Sequence, residues 1–170
     1  MKYVSIDQLH DFEFHDSVWS FVSWENDNLT VKIRMLNIHK DAEQNGSAED
    51  MEIKEATVTF TGIKHAMYTL PRTWYKDEKG NSVTNDPLVI YENGEAVERF
   101  IDALKQEDRI ECMFFDKKDE KYEFGGIGRE WISFEFDFAG VTVEWDEFDG
   151  KAWYVREKNK IKIIPPIDNR

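Results

Sequence analysis

The chain has 170 residues, of which 41% are hydrophobic and 14% aromatic, and its formal net charge is −13. This length fits a single domain over residues 1–170, and the apolar content excludes a wholly disordered chain. The negative charge argues against nucleic acid and anionic membranes as partners, because both attract basic surfaces. A basic protein partner is permitted, and so is a charge that serves solubility alone.

The sequence contains no recognisable membrane span or export signal. No run approaches the roughly 20 apolar residues that a membrane helix needs, and residues 1–5 lack the apolar core of a signal peptide. The single cysteine, Cys112, has no partner for an internal disulfide, and its apolar neighbours predict a small buried side chain. Together these features predict a cytoplasmic protein.

Residues near the N-terminus predict a short helical segment that is followed by strands. Ser5 and Gln8 have the spacing of a capping box, so one or two helical turns are expected through Leu9. Residues 18–24 and 29–35 alternate between apolar and polar around a turn at 26–28, which predicts a β-hairpin. Residues 55–61 alternate in the same way, whereas residues 40–50 and 76–87 are polar and predict exposed loops.

One segment has the periodicity of a helix. Apolar residues between Ala96 and Leu104 share a face of a helix over residues 94–106. Asn93 is a favourable N-cap, and Glu95 and Arg99 form an i, i+4 pair of opposite charge. This is the only helix of normal length that the sequence predicts.

Further strands are expected in the last third of the chain. Residues 109–115, 122–124 and 152–156 predict strands, and residues 161–164 predict an edge strand that Pro165 ends. The glycine cluster at 125–128 opens no helix and fits no phosphate-binding motif, so it predicts a loop with positive φ angles.

The clearest pattern in the chain runs from Trp131 to Phe148. Apolar residues alternate with acidic or small polar ones on both sides of Ala139–Gly140, which predicts a hairpin with one apolar and one acidic face. The acidic face would be formed by residues on the two strands: Glu135, Asp137, Glu144 and Asp146. Like charges directly opposite one another destabilise a sheet, so neighbouring lysines, a basic partner or a cation is expected to compensate them.

Many strands around one mid-chain helix predict a mainly β (α+β) fold. We expect a strongly bent antiparallel sheet or a partly open barrel, with the helix near residues 94–106 packed against it.

Histidines supply a second candidate site. His15 is followed by Asp16, and His39 follows the second predicted strand. A His–Asp pair can orient an imidazole for general-base catalysis or metal binding, but it also forms simple hydrogen bonds at a strand start. No zinc-ligand spacing is present, so no metal and no cofactor are predicted. Trp74 lies in an irregular segment beside a long loop, where an exposed aromatic can anchor a partner.

The segment from Phe14 to Ser17, with its following strand and Leu36 to His39, resembles the opening of small bacterial β-rich domains of unknown function. Some proteins of that kind are suspected to be immunity proteins of toxin systems. The resemblance covers about a quarter of the chain and implies a cytoplasmic bacterial protein that acts through protein contacts.

Three functions follow as hypotheses. The first is a non-catalytic protein-binding module that presents Glu135, Asp137, Glu144, Asp146 and Trp74 to a basic partner, as an immunity protein would. The second is a small-ligand binder with a cavity enclosed by a bent sheet. The third is a metal-dependent hydrolase that uses His15 and Asp16, with His39 as a further polar residue.

Overall fold

The structure, a computed structural model, describes residues 1–106 and 110–158, which form a mainly β fold with two α-helices. The strands are β1 (Tyr3–Ile6), β2 (Phe12–Glu13), β3 (Val18–Glu25), β4 (Asn28–Arg34), β5 (Leu36–Ile38), β6 (Met51–Ile53), β7 (Ala56–Thr61), β8 (Lys64–Thr69), β9 (Tyr75–Lys76), β10 (Ser82–Val83), β11 (Ile90–Glu92), β12 (Ile110–Lys118), β13 (Lys121–Ile127), β14 (Trp131–Asp137), β15 (Gly140–Trp145) and β16 (Phe148–Lys151). The helices are α1 (Asn93–Gln106) and α2 (Trp153–Lys158). Neither of them combines the length and the apolar character that crossing a membrane requires.

Ten strands form one antiparallel sheet in the order β1-β15-β7-β4-β3-β12-β13-β14-β8-β11. Among the residues that the structure describes, two pairs, Ile110–Trp19 and Glu111–Val18, join β12 to β3, and this link divides the sheet into two halves of five strands each. Its edge strands β1 and β11 do not pair with each other, and the sheet is therefore not closed into a barrel. The predicted antiparallel β architecture is confirmed.

The sheet bends so that its two halves bury one aromatic core. Phe60 on β7 and Phe136 on β14 are third and eighth in the strand order, yet their ring centroids are only 5.3 Å apart. Helix α1 packs into the same core, where the rings of Phe100 and Phe134 stack at 4.2 Å. The helix boundaries agree with the predicted 94–106, and Arg99 lies 3.9 Å from Glu95 as expected.

A second sheet, with the order β16-β6-β5-β2, packs beside the first. Its core-facing residues include Phe12, whose ring lies 5.9 Å from that of Trp145. Helix α2 lies over the opposite face, where the Nη2 atom of Arg156 is 2.7 Å from Oε2 of Glu52. The small sheet is thus enclosed between the main core and a short helix.

The predicted hairpin of residues 131–148 is wrong. Its two strands, β14 and β15, are consecutive in the chain, but five other strands separate them in the sheet. The alternation of their faces is correct, because Phe134, Phe136 and Trp145 are fully buried. A period of two determines which side chains face inward, whereas the pairing partner depends on the whole fold.

Other local predictions need correction. Ser5 is buried in β1 rather than capping a helix, and the helical turn is a 3-10 turn at Leu9–Asp11. Residues 152–156, predicted as a strand, lie mostly in α2. Two glycines of the predicted 125–128 loop, Gly125 and Gly126, belong to β13. The predicted edge strand at 161–164 lies outside the described residues.

Candidate functional site

A cavity of about 550 Å³ lies where the small sheet, α2 and β12 meet, and we call it the α2 cavity. Its lining combines acidic, imidazole and aromatic groups. The lining residues are Glu13, His15, His39, Asp50, Met113, Phe114, Phe115, Asp116, Trp153 and Tyr154.

Three parts of the fold bring these side chains together. Glu13 ends β2 and His15 follows it, while His39 and Asp50 flank the loop that connects β5 to β6. The backbone N–H of Asp16 donates to the carbonyl of Cys112 at 2.8 Å, which fixes the His15 segment against β12. Helix α2 closes the third side.

Asp50 is the centre of the polar network in the α2 cavity. Its Oδ2 accepts a hydrogen bond from the Tyr154 hydroxyl at 2.7 Å, and its Oδ1 accepts one from the Lys40 backbone N–H at 2.8 Å. The His39 Nδ1 atom lies 3.5 Å from Oδ2. Burial alone would raise the pKa of Asp50, but these bonds to the ionised form outweigh it, and the pKa is lowered.

Tyr154 carries the side-chain hydroxyl that donates a hydrogen bond to the Asp50 carboxylate. Burial raises the pKa of its hydroxyl, and the hydrogen bond to Asp50 raises it further. The phenol therefore remains a protonated donor at neutral pH, and Asp50 remains an ionised acceptor. Such a charge-assisted bond is stronger than one between neutral groups.

Glu13 and His15 form the second polar group. The backbone N–H of His15 donates to Glu13 Oε1 at 2.9 Å, and His15 Nδ1 lies 3.0 Å from Asp16 Oδ1. The centroid of the His15 ring is 6.5 Å from that of the Trp153 ring. The imidazole therefore lies near both the Asp16 carboxylate and an aromatic side chain of the cavity lining.

The apolar wall depends on an irregularity in β12. The register of β12 against β13 shifts between Cys112 and Phe114, which marks a β-bulge. The ring of Phe114 then lies directly over Gly125, where an added Cβ would be 2.2 Å from the Phe114 Cε1 atom. Glycine at position 125 therefore allows Phe114 to occupy its place in the cavity wall.

The chemistry of the α2 cavity is that of a cation-binding site with an apolar surface. Three of its ten lining residues are carboxylic acids and four are phenylalanine, tyrosine or tryptophan, but none is lysine or arginine. Carboxylates attract positive charge, and aromatic faces add a cation–π attraction. Within residues 1–106 and 110–158, no group of three or more His, Cys, Asp or Glu side chains has an arrangement that could hold a metal ion.

The structure brings two of the predicted polar residues into this cavity. His15 and His39 both line it, and Asp16 contacts His15 from outside the lining. The Phe14–Ser17 and Leu36–His39 segments thus meet in space. The pairing of His15 with Asp16 at a strand start also fits the simpler hydrogen-bonding interpretation.

The predicted acidic face is divided between two distant parts of the sheet. Glu135 lies opposite Glu123 on β13, and Lys118 compensates this like-charge pair with its Nζ 2.9 Å from Glu123. Asp137 lies 3.7 Å from Lys64. On the other half of the sheet, Asp146 accepts a hydrogen bond from the backbone N–H of residue 2 at 2.7 Å.

Glu144 on β15 is paired in register with Thr57 and Val4, neither of which carries charge. Glu144 therefore lies on the other half of the sheet from Glu135 and Asp137. Trp74 is 54% exposed, as expected for a residue beside a long loop.

Sequence reasoning missed Glu13, Asp50, Trp153 and Tyr154 as members of the site. Asp50 and Tyr154 are 104 residues apart, and no local spacing connects them. The sequence predicts a strand for residues 152–156, and this prediction does not place Trp153 and Tyr154 over the small sheet. The only available signal was the polarity of Asp50 at the end of a predicted loop, next to an apolar segment.

Comparison of the chain with protein-family models, with curated proteins and with solved structures found no match.

Proposed function

We propose that this chain is a non-catalytic binding protein and that the α2 cavity is its binding site, for a ligand with a positive group on an apolar body. The observation that supports this is the lining itself, with carboxylates and aromatic rings but no lysine or arginine. Ligand sites are typically concave and largely apolar, with a few polar groups that orient the ligand. The volume of about 550 Å³ is within the usual range for small-ligand sites.

The sign of the ligand charge gives the first test. Benzylamine and benzoate have the same aromatic body but opposite charges, so their effects on the melting temperature can be compared directly. We expect benzylamine to raise the melting temperature in a saturable way, because a ligand that binds the folded state stabilises it. Benzoate should have no such effect. An equal shift with both compounds would contradict the proposal.

A matched pair of variants assigns the effect to the cavity. Glu13→Gln removes a cavity carboxylate, whereas Glu98→Gln removes the same charge from an exposed position on α1. We expect Glu13→Gln to weaken benzylamine binding about tenfold, equivalent to about 1.4 kcal/mol, and Glu98→Gln to leave it unchanged. Equal effects of the two variants in calorimetric titrations would mean that overall charge, rather than this cavity, attracts the ligand.

A second candidate is a basic protein partner, in the manner of an immunity protein. The net charge of −13 favours it, since long-range attraction speeds the encounter of oppositely charged proteins. A lysine or arginine side chain of the partner would then occupy the α2 cavity, with the exposed Trp74 as a further contact.

The test for this candidate is a pull-down from the native host at low and high salt. One protein should be retained at low salt, released at high salt and lost with Glu13→Gln, while Glu98→Gln should retain it. Retention that is insensitive to Glu13→Gln would contradict a role of the cavity in partner binding.

A further inference from the structure

Three polar residues form a row across the small sheet beneath α2. Asn37 on β5 is directly opposite Glu13 on β2 and Glu52 on β6, so the three side chains share one face. The residues that flank Asn37, Leu36 and Ile38, point into the core. The Glu13–Asn37–Glu52 row therefore faces α2 rather than the core, and Glu13 is the member of the row that lines the α2 cavity.

Asn37 is an exceptional member of this row. Its side chain is fully buried, and neither its amide oxygen nor its amide nitrogen has a hydrogen-bond partner among residues 1–106 and 110–158. Buried polar groups nearly always have partners, because leaving one unpaired costs free energy. The nearby buried Asn45 follows the rule, since its amide nitrogen donates to the carbonyls of Ile38, His39 and Glu49.

A guanidinium already occupies one end of the row. The Arg156 group lies 2.7 Å from Glu52, which is itself almost fully buried. At the other end, Glu13 lines the α2 cavity. The unpartnered Asn37 lies between these two carboxylates.

Resting on the proposed function, we infer that the α2 cavity selects a guanidinium or amidinium group, which donates hydrogen bonds to Glu13 and to the amide oxygen of Asn37 together. Such a group is planar, has several donors in a fixed fork and is more weakly hydrated than an ammonium. A guanidinium or amidinium therefore loses less hydration free energy than an ammonium when it leaves water to bind a buried amide. Asn37 is then the residue that determines specificity.

In this proposal, helix α2, which contacts Glu52 of the same row through Arg156, controls access to Asn37. The helix has six residues, and its polar contacts with the small-sheet layer include Arg156–Glu52 and Tyr154–Asp50. Because Asn37 is fully covered, the ligand reaches it when α2 shifts outward. A new hydrogen bond to Asn37 offsets the cost of this shift, so binding and movement of α2 are coupled.

The test compares benzamidine with benzylamine, which differ in having an amidinium or an ammonium on the same aromatic ring. We expect the wild-type protein to bind benzamidine at least tenfold more tightly than benzylamine. Asn37→Leu should bring this ratio close to one and leave the melting temperature of the free protein equal or higher, since an unpaired polar group is removed. Asn37→Ala is the second variant if the leucine does not fit.

Asn45→Leu is the matched control in the same layer. It removes four hydrogen bonds of the Asn45 side chain, three donated by the amide nitrogen and one accepted by the amide oxygen, so it should lower the melting temperature while keeping the preference for benzamidine. An unchanged preference in both Asn37 variants, or no preference in the wild type, would overturn the inference while leaving the cation site intact. Failure of both compounds to bind would overturn the proposed function as well.

The guanidinium has two possible sources, and two short peptides distinguish them. Blocked peptides that carry a single arginine or a single lysine present the side chain as a protein partner would. Preference for the arginine peptide over both the lysine peptide and benzamidine would assign the cavity to a partner's side chain. Preference for benzamidine over the arginine peptide would assign it to a free small molecule.

Discussion

Single residues in this protein have roles that their type alone does not reveal. The glycines at 125 and 126 look like loop residues, but both lie within β13. The Phe114 ring occupies the space that a side chain would fill at Gly125, and the Phe124 ring with the Glu111 carbonyl occupies it at Gly126. No local pattern predicts this, because Phe114 belongs to another strand and is displaced by a bulge. The two histidines of the cavity were identifiable as polar residues, but their common location required the fold.

Gly125→Ala tests the close packing of Phe114. The added methyl group would overlap that ring, and overpacking of this kind typically costs about 1–3 kcal/mol. We expect a lower midpoint of urea denaturation and weaker benzylamine binding. Gly46→Ala is the control, because its added Cβ meets nothing within 4 Å, and its stability should stay close to that of the wild type.

Cys112 should be chemically inert in the native protein. Burial strongly raises the pKa of its thiol, so the reactive thiolate is scarce at neutral pH. We expect iodoacetamide to label Cys112 in denaturant and not in native buffer, as mass spectrometry would detect. Rapid labelling of the native protein would show that β12 opens readily.

At the scale of elements, the sequence predicts which side chains of a strand face the core better than it predicts which strands pair with each other. The alternation in β14 and β15 correctly identifies their buried side chains, yet β15 pairs with β1 and β7 and not with β14. The strand predicted at residues 152–156 is wrong because the six residues of α2 are too few to distinguish the period of a helix from that of a strand. Helix α1 was predictable because its 14 residues include several turns of one apolar face.

The attachment of α2 should depend on pH through Asp50. The pKa of this carboxyl in the folded state lies below its ordinary value of 3.8, so the ionised form stabilises the fold above that pH. The stabilisation is lost as the pH falls through the lower, folded-state pKa. We expect Asp50→Asn to be less stable than the wild type at pH 7, and the difference in unfolding free energy to shrink below pH 3.8. A difference that persists unchanged in acid would contradict this role.

At the scale of the whole molecule, the order of strand and helix patterns in the sequence predicts the class of fold but not its connectivity. Alternating segments with a single long helix were sufficient for an antiparallel, mainly β protein, and the bend of the sheet is confirmed by ring contacts such as Phe60–Phe136. The strand order was not accessible, because it is determined by contacts between residues that are far apart in the chain. The division of the acidic residues between two halves follows from that order.

The net charge of −13 should make stability sensitive to salt. Repulsion among like charges destabilises the folded state, and ions screen it over a distance of about 10 Å at 0.1 M. We therefore expect the melting temperature to rise between low salt and about 0.2 M NaCl. A fall over this range would mean that ion pairs such as Lys54–Glu147 outweigh the repulsion.

The pairing of β1 with β15 has a consequence for synthesis. The hydrogen bond between residues 2 and 146 spans 144 positions of the chain. A ribosome adds about 5–20 residues each second, so the first strand waits on the order of ten seconds for its partner. During that interval the nascent chain carries the exposed edge of β1, which makes early binding by a chaperone advantageous.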